Sequence, residues 1–202
     1  VIATGAEVNP FTHRRRVSSL VLPVRHQDQQ RVELVTITPA LLSALVADAS
    51  LVFRISPATF EELLCDRLFA MGFEPRKTGK TNHKDGGVDI VFWPRSRAAF
   101  PVLGAVQAKH HKNPDTREGS GVVRDFAAAV GAHPFNAGLL VTNTAFTPDA
   151  KWFAKERAAL VRLRDLVDLR RWLANRFDDP AEWRDLPSEI QLCPGVTVRL
   201  DR

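Results

Sequence analysis

The chain has 202 residues, 45% of them hydrophobic and 25% charged, a balance that fits a soluble globular protein with one main domain and room for an accessory part. No apolar run approaches the length of a membrane span, and two cysteines, Cys65 and Cys193, give neither a disulfide framework nor a zinc set, so a membrane role is not expected and a cytoplasmic location is. A net charge of +5 and a pI near 9.7 suit a polyanionic partner.

Residues 1–16 have no clear periodicity and end in His13-Arg14-Arg15-Arg16, read as a basic tail. The chain opens at Val1 without a Met and without a signal-peptide pattern, which leads to the expectation of a preceding sensor or recognition domain. Residues 17–55 then read as an accessory module. It has two strands, Val17 to Val24 and Arg31 to Thr38, and a helix opened by Thr38-Pro39 that runs through Leu41, Leu42 and Leu45. A piece of about forty residues has little independent stability, so it should pack on the rest of the chain or on a second copy.

The next helix carries clear start signals. Ser56 is placed as N-cap, Pro57 at the first helical position, and Ile55 where it can staple onto Phe60; the helix runs to about Met71. Its apolar stripe contains Phe60, Leu63, Leu64 and Leu68, with Glu61 at the margin and Glu62 turned to water. A carboxylate at the edge of a core-facing stripe must be solvated, paired or metal-bound, because burying it alone is too costly. A loop containing glycine follows and carries Arg76, Lys77, Lys80 and Lys84, candidate phosphate contacts.

Val88 to Trp93 and Pro101 to Lys109 read as neighbouring strands joined by a loop at Pro94-Arg95-Ser96-Arg97. Side chains alternate across a strand, so Gln107 and Lys109 share a face, and an adjacent strand can bring Asp89 to it. A carboxylate and an amide oxygen are hard donors suited to Mg²⁺, and an ammonium beside them can orient water and offset charge on a phosphate. The same residues also fit a buried strand ending in a polar turn. His110, His111 and Lys112 follow as a second basic cluster.

Val122, Val123, Phe126 and Val130 form a helical stripe with Gly131 placed to end it, and Ala137 to Val141 is a short buried strand. Thr142 and Asn143 close that strand as candidate substrate contacts. Thr147-Pro148 opens a helix, Val161 to Leu163 is a strand, and Asp165 caps a last helix through Leu173 toward Phe177. Residues 178–202 form an irregular extension in which Val196 to Leu200 adds an edge strand. Strands and helices in this order imply an α/β fold with a mixed central sheet flanked by helices.

From Ser56 to about Phe177 the sequence resembles the Mrr-like restriction endonucleases, a branch of the PD-(D/E)xK nuclease superfamily. The resemblance is carried by Ser56-Pro57-x-x-Phe60-Glu61-x-Leu63, Met71-Gly72-Phe73, Asp85-Gly86-Gly87-Val88-Asp89-Ile90 and Gln107-Ala108-Lys109. Leu139-Leu140-Val141-Thr142-Asn143, Phe146-Thr147-Pro148-Asp149-Ala150 and Val161-x-Leu163-x-Asp165 extend it.

The resemblance implies a restriction-endonuclease-like core over residues 56–177. It makes Asp89 the central metal-binding aspartate, Gln107 and Lys109 the (E/Q)xK pair, and Glu61 the first-helix glutamate. It also implies a Mg²⁺-dependent endonuclease, with Mn²⁺ able to substitute, that cuts double-stranded DNA as a homodimer in restriction or defence against foreign DNA. Gln107 stands where most of the superfamily has Glu, which lowers the negative charge of the site. Two other readings remain: the same fold acting on RNA or branched DNA, and a catalytically inactive nucleic-acid-binding module.

Overall fold

The computed structural model describes residues 39–78, 87–96, 101–178 and 188–199. The irregular segment 1–16, the strands expected at 17–24 and 31–38, and Lys80 and Lys84 lie outside them. The chain divides into two units, 1–31 and 32–202, and all that is described below belongs to the second.

It opens with α1 (Pro39–Ala47) and a 3₁₀ turn (Ala49–Phe53) capped by the Asp48 side chain, which accepts from the Ser50 amide at 2.9 Å. Helix α2 (Pro57–Ala70) begins as the sequence dictates, with the Ser56 hydroxyl accepting from the Thr59 amide at 3.0 Å. Strands β1 (Phe73–Lys77), β2 (Ile90–Pro94) and β3 (Gly104–Lys109) follow, then the short β4 (Arg117–Glu118) and α3 (Ser120–Ala132). After these come β5 (Ala137–Thr142), β6 (Ala145–Phe146), α4 (Pro148–Arg157), β7 (Val161–Arg164) and α5 (Leu166–Leu173). Helix α5 starts in a capping box between Asp165 and Asp168. The hairpin β8 (Glu189–Cys193) and β9 (Val196–Arg199) is last.

The main sheet has the order β1-β2-β3-β5-β7. Pairing is antiparallel from β1 to β3 and parallel from β3 to β7, so β3 is the strand at which the sheet changes sense. Alternation divides the core. Ile90, Phe92 and Val106 point to the side of α2, where they join Leu45, Phe60, Leu64 and Trp172. Ala105 and Leu140 point to the other side, against Val123, Phe126, Ala150 and Val161. Gly138 lets α3 approach the sheet: a Cβ there would lie 2.7 Å from Val130 Cγ2. The mixed sheet with helices on both faces is the architecture expected from the sequence, and no helix among the described residues is long and apolar enough to cross a membrane.

Several local features differ from expectation. The segment Phe73–Lys77, whose Arg76 and Lys77 are expected in a basic loop, is the edge strand β1. Its Pro75 and its charges obscure a strand pattern, and they are residues that edge strands tolerate and use. Helix α3 runs through Gly131 and ends at His133, where the backbone becomes extended (φ −127°, ψ 164°). Strand β9 pairs with β8 in a separate hairpin and does not extend the main sheet. Leu41, Leu42 and Leu45 of α1 pack into the same core cluster as α2.

Candidate active site

Three parallel strands, β3, β5 and β7, end at the same edge of the sheet, and β2 begins there because it runs the opposite way. Ligands in open α/β sheets gather at the carboxyl ends of the strands. At this edge β2 and β3 part company at Asp89. The Asp89 amide donates to the Val106 carbonyl at 2.8 Å, and its carbonyl accepts from the Thr78 amide at 3.0 Å, so its backbone still bridges both neighbours. Its carboxylate then does what a further strand residue would have done, accepting from the Ala108 amide through Oδ2 at 2.7 Å. The charge is thereby fixed alongside Gln107, between Val106 and Ala108.

Gln107 carries the most telling atom of the site. Its Oε1 is buried and, among the described residues, has no hydrogen-bond partner. Its Nε2 lies against Gly87, where a Cβ would be 2.8 Å away and where the backbone takes φ +81°, so only glycine fits on both counts. Lys109 is two residues further on the same face of β3, half-buried, and makes no ion pair among the described residues. The structure therefore places the Asp89 carboxylate at the Ala108 amide, between Gln107 and Lys109 along β3.

Glu61 is held differently. Its carboxylate pairs with Lys77 at 2.8 Å, and Lys77 faces Ile90 across the β1–β2 ladder. Alternation puts Lys77 on the α2 side of the sheet, with Ile90, whereas Gln107 and Lys109 follow Ala105 on the other side.

The second basic cluster turns largely inward. His110 Nε2 bonds the Val52 carbonyl at 2.8 Å and its ring packs on Phe60, while His111 pairs through Nε2 with the buried carboxylate of Glu118. The Nε2 atom of each imidazole is held by a protein partner while both residues stay partly exposed, and Lys112 is exposed.

Thr142 and Asn143 are each 0% exposed, so their side chains do not reach a substrate either. Thr142 Oγ1 bonds Thr144 Oγ1 at 2.9 Å. The Asn143 side chain accepts from the His111 amide at 2.8 Å and donates to the His111 carbonyl at 2.7 Å, pinning the chain just past Lys109. Glu118 was not singled out from sequence, Gly87 entered only within the Asp85–Ile90 motif, and Asn143 was expected as a substrate contact, not as a brace of the backbone. The Gly87 signal was a glycine before a strand carrying a site carboxylate, and Asn143 had the signal of an amide at a strand end with backbone groups left to satisfy.

Among the described residues no three His, Cys, Asp or Glu side chains gather into a metal cluster. A divalent ion would therefore need the amide oxygen of Gln107 as a donor, and that oxygen is the orphaned one. Hard oxygen donors from one carboxylate and one carbonyl fit Mg²⁺, which keeps several waters of its own. Burial pushes the Cys65 thiol up to about 12, which keeps it protonated and out of any ligand set.

A search of curated proteins found no match. Among solved structures, the MspJI restriction endonuclease in complex with a 27-mer oligonucleotide is 19% identical with a TM-score of 0.51, covering 75% of this chain and 36% of that one. The DNA modification-dependent restriction endonuclease AspBHI is 19% identical with a TM-score of 0.49, covering 71% of this chain and 37% of that one. The chain thus spans little more than a third of the length of either. The family model Mrr_cat, described as a restriction endonuclease, matches residues 52–173, more than half of the chain and all of the site. The chain belongs to the Mrr-like restriction endonuclease family.

Proposed function

We propose that this chain is a divalent-metal-dependent endonuclease that hydrolyses phosphodiester bonds of double-stranded DNA. The observation that carries the reading is the buried Oε1 of Gln107, without a hydrogen-bond partner among the described residues, on the strand that anchors the carboxylate of Asp89. An unsatisfied buried carbonyl costs on the order of 1–3 kcal/mol, a cost that a bound cation removes. Asp89 and Gln107 would hold Mg²⁺ or Mn²⁺. Glu61 is paired with Lys77 on the α2 side of the sheet, so it would join them only by giving up that partner and reaching past the sheet edge. The ion, when bound, supplies Lewis-acid polarisation of the phosphate and a more acidic water.

The chain's own groups do the rest. Asp89 holds its position through the Ala108 amide, so little reorganisation is needed when charge develops. Lys109, on the Gln107 face, orients the attacking water and offsets negative charge on the phosphate. Asn143 fixes the backbone that follows it. Support for DNA as substrate comes from the family, from the oligonucleotide held by the MspJI structure of the same fold, and from the basic charge of the chain. Cutting both strands calls for two such sites, and so for a homodimer. A role in restriction or defence against foreign DNA follows from the family reading, and a cytoplasmic location from the cysteine usage.

Incubation with plasmid, RNA and junction substrates, each with Mg²⁺, Mn²⁺ or chelator, tests this. Metal-dependent linearisation of plasmid is the expected result. Cutting confined to RNA or junctions would change the substrate, and DNA binding without cutting in any metal would make the chain an inactive module, a reading that the Gln107-for-Glu exchange keeps open.

A further inference from the structure

Strand alternation separates two basic residues that are adjacent in sequence. Lys77 goes to the α2 side and is taken up by Glu61. Arg76 goes to the opposite face, where its guanidinium sits over the indole of Trp93 at 5.1 Å from the ring centroid. The register places them on the site's own face: Arg76 opposes Val91, Glu74 opposes Trp93, and Val91 opposes Ala105, the residue two before Gln107. The helices of that side, α3 and α4, pack over β5 and β7, at the other end of the sheet. Arg76 is exposed and, among the described residues, makes no ion pair, even with Glu74 on its own strand and face.

We infer that Arg76 is a phosphate-contact subsite for the DNA strand leading into the cleavage site, with Trp93 as the positioning residue that holds its guanidinium. The inference rests on the nuclease reading above and adds where the substrate lies. Two strand spacings and two residues along the strand put Arg76 about 12 Å from Gln107 on the sheet, a few phosphates from the scissile one at roughly 3.4 Å of helix axis per phosphate. Arginine suits this role because its planar fork can lie against an aromatic ring and still offer two parallel donors to a phosphate. The contact positions the duplex without reading its sequence.

The test measures duplex binding by fluorescence anisotropy across a salt series, using the full chain with Lys109→Ala in Ca²⁺ so that nothing is cut. Arg76→Ala is expected to weaken binding about five- to tenfold and to reduce the slope of log affinity against log salt by about one, the signature of one lost phosphate contact. Arg76→Lys keeps the slope but loses affinity. Trp93→Leu weakens binding by a few fold in the parent and by nothing further in the Arg76→Ala background; Trp93→Phe retains a ring and covers the case in which Trp93→Leu fails to fold. An unchanged slope in Arg76→Ala, or an undiminished effect of either Trp93 variant without Arg76, would overturn the subsite. A parent that binds no duplex, with a wild type that cuts none, would instead overturn the nuclease reading and the subsite with it.

Discussion

The carboxylate of Asp89 has two duties that a substitution can separate. It closes the Ala108 amide, and it supplies negative charge to the site. Asp89→Ala removes both, so it should abolish cleavage and also cost about 1–3 kcal/mol of stability for the amide left unpaired. Asp89→Asn keeps an acceptor and should melt near wild type while cutting at least about a hundredfold more slowly; an active Asp89→Asn would remove the carboxylate from the chemistry. Gly87→Ala should displace the Gln107 amide, because its Cβ would meet Nε2 at 2.8 Å and its φ of +81° disfavours any side chain. The expected outcome is a loss of Mg²⁺ affinity by calorimetry of about tenfold or more, the usual order for disturbing a ligand or its support; unchanged affinity would take Gln107 out of the ligand set. Cys65 gives a check on burial alone. Its thiol is raised by burial from 9.0 to about 12, so the folded state keeps a proton that the unfolded chain has lost at high pH. That contribution to stability is complete below about pH 9 and disappears as pH rises toward 12. At pH 8 a thiol reagent should label the exposed Cys193 promptly and reach Cys65 only on unfolding; two fast equivalents would contradict the packing of α2.

Elements differ in how openly the sequence announced them. Helices α2, α4 and α5 were legible because their starts are written in side chains, Ser56, Thr147 and Asp165, each of which accepts the expected amide bond. Strands β2, β3 and β5 were legible as apolar runs between breakers. Strand β1 was not, since Pro75 and its three charged neighbours Glu74, Arg76 and Lys77 give no alternation, and only pairing to β2 makes Phe73–Lys77 a strand. That miss hid the separation of Arg76 from Lys77. The helical phase of α2 set Glu61 apart from Glu62, but it could not reveal that Lys77 arrives to pair with it, because the partner comes from an unread strand. Glu61→Gln is expected to slow metal-dependent cleavage about tenfold and Glu62→Gln to leave it nearly unchanged; equal effects would mean that α2 contributes no ligand. Past β3, the inward histidines and the Asn143 brace are long-range contacts with no local sequence signature. Asn143→Ala frees the His111 backbone on both its amide and carbonyl. It should lower the single-turnover cleavage rate more than it lowers DNA affinity, since it loosens the strand that carries Lys109.

At the scale of the molecule, one change of sense in the sheet creates the site. β3 is antiparallel to β2 and parallel to β5, so the amino end of one strand and the carboxyl end of the next meet at a single edge. Asp89 enters from the first, Gln107 and Lys109 from the second, and the packed helices on either face hold both strands in place. The order of motifs was readable in the chain, and so was the α/β class; the buried oxygen of Gln107 with no partner among the described residues, on which the proposed cation site rests, was not, because burial and pairing exist only in three dimensions. The most direct measurement of the central claim is plasmid cleavage by the wild-type chain in Mg²⁺, run beside the chelated reaction and the Asp89→Asn and Lys109→Ala variants. Linear product from the wild type alone, lost on chelation and restored by added metal, is the predicted result. Cleavage that persists in chelator, or that survives in either variant at the wild-type rate, would contradict it.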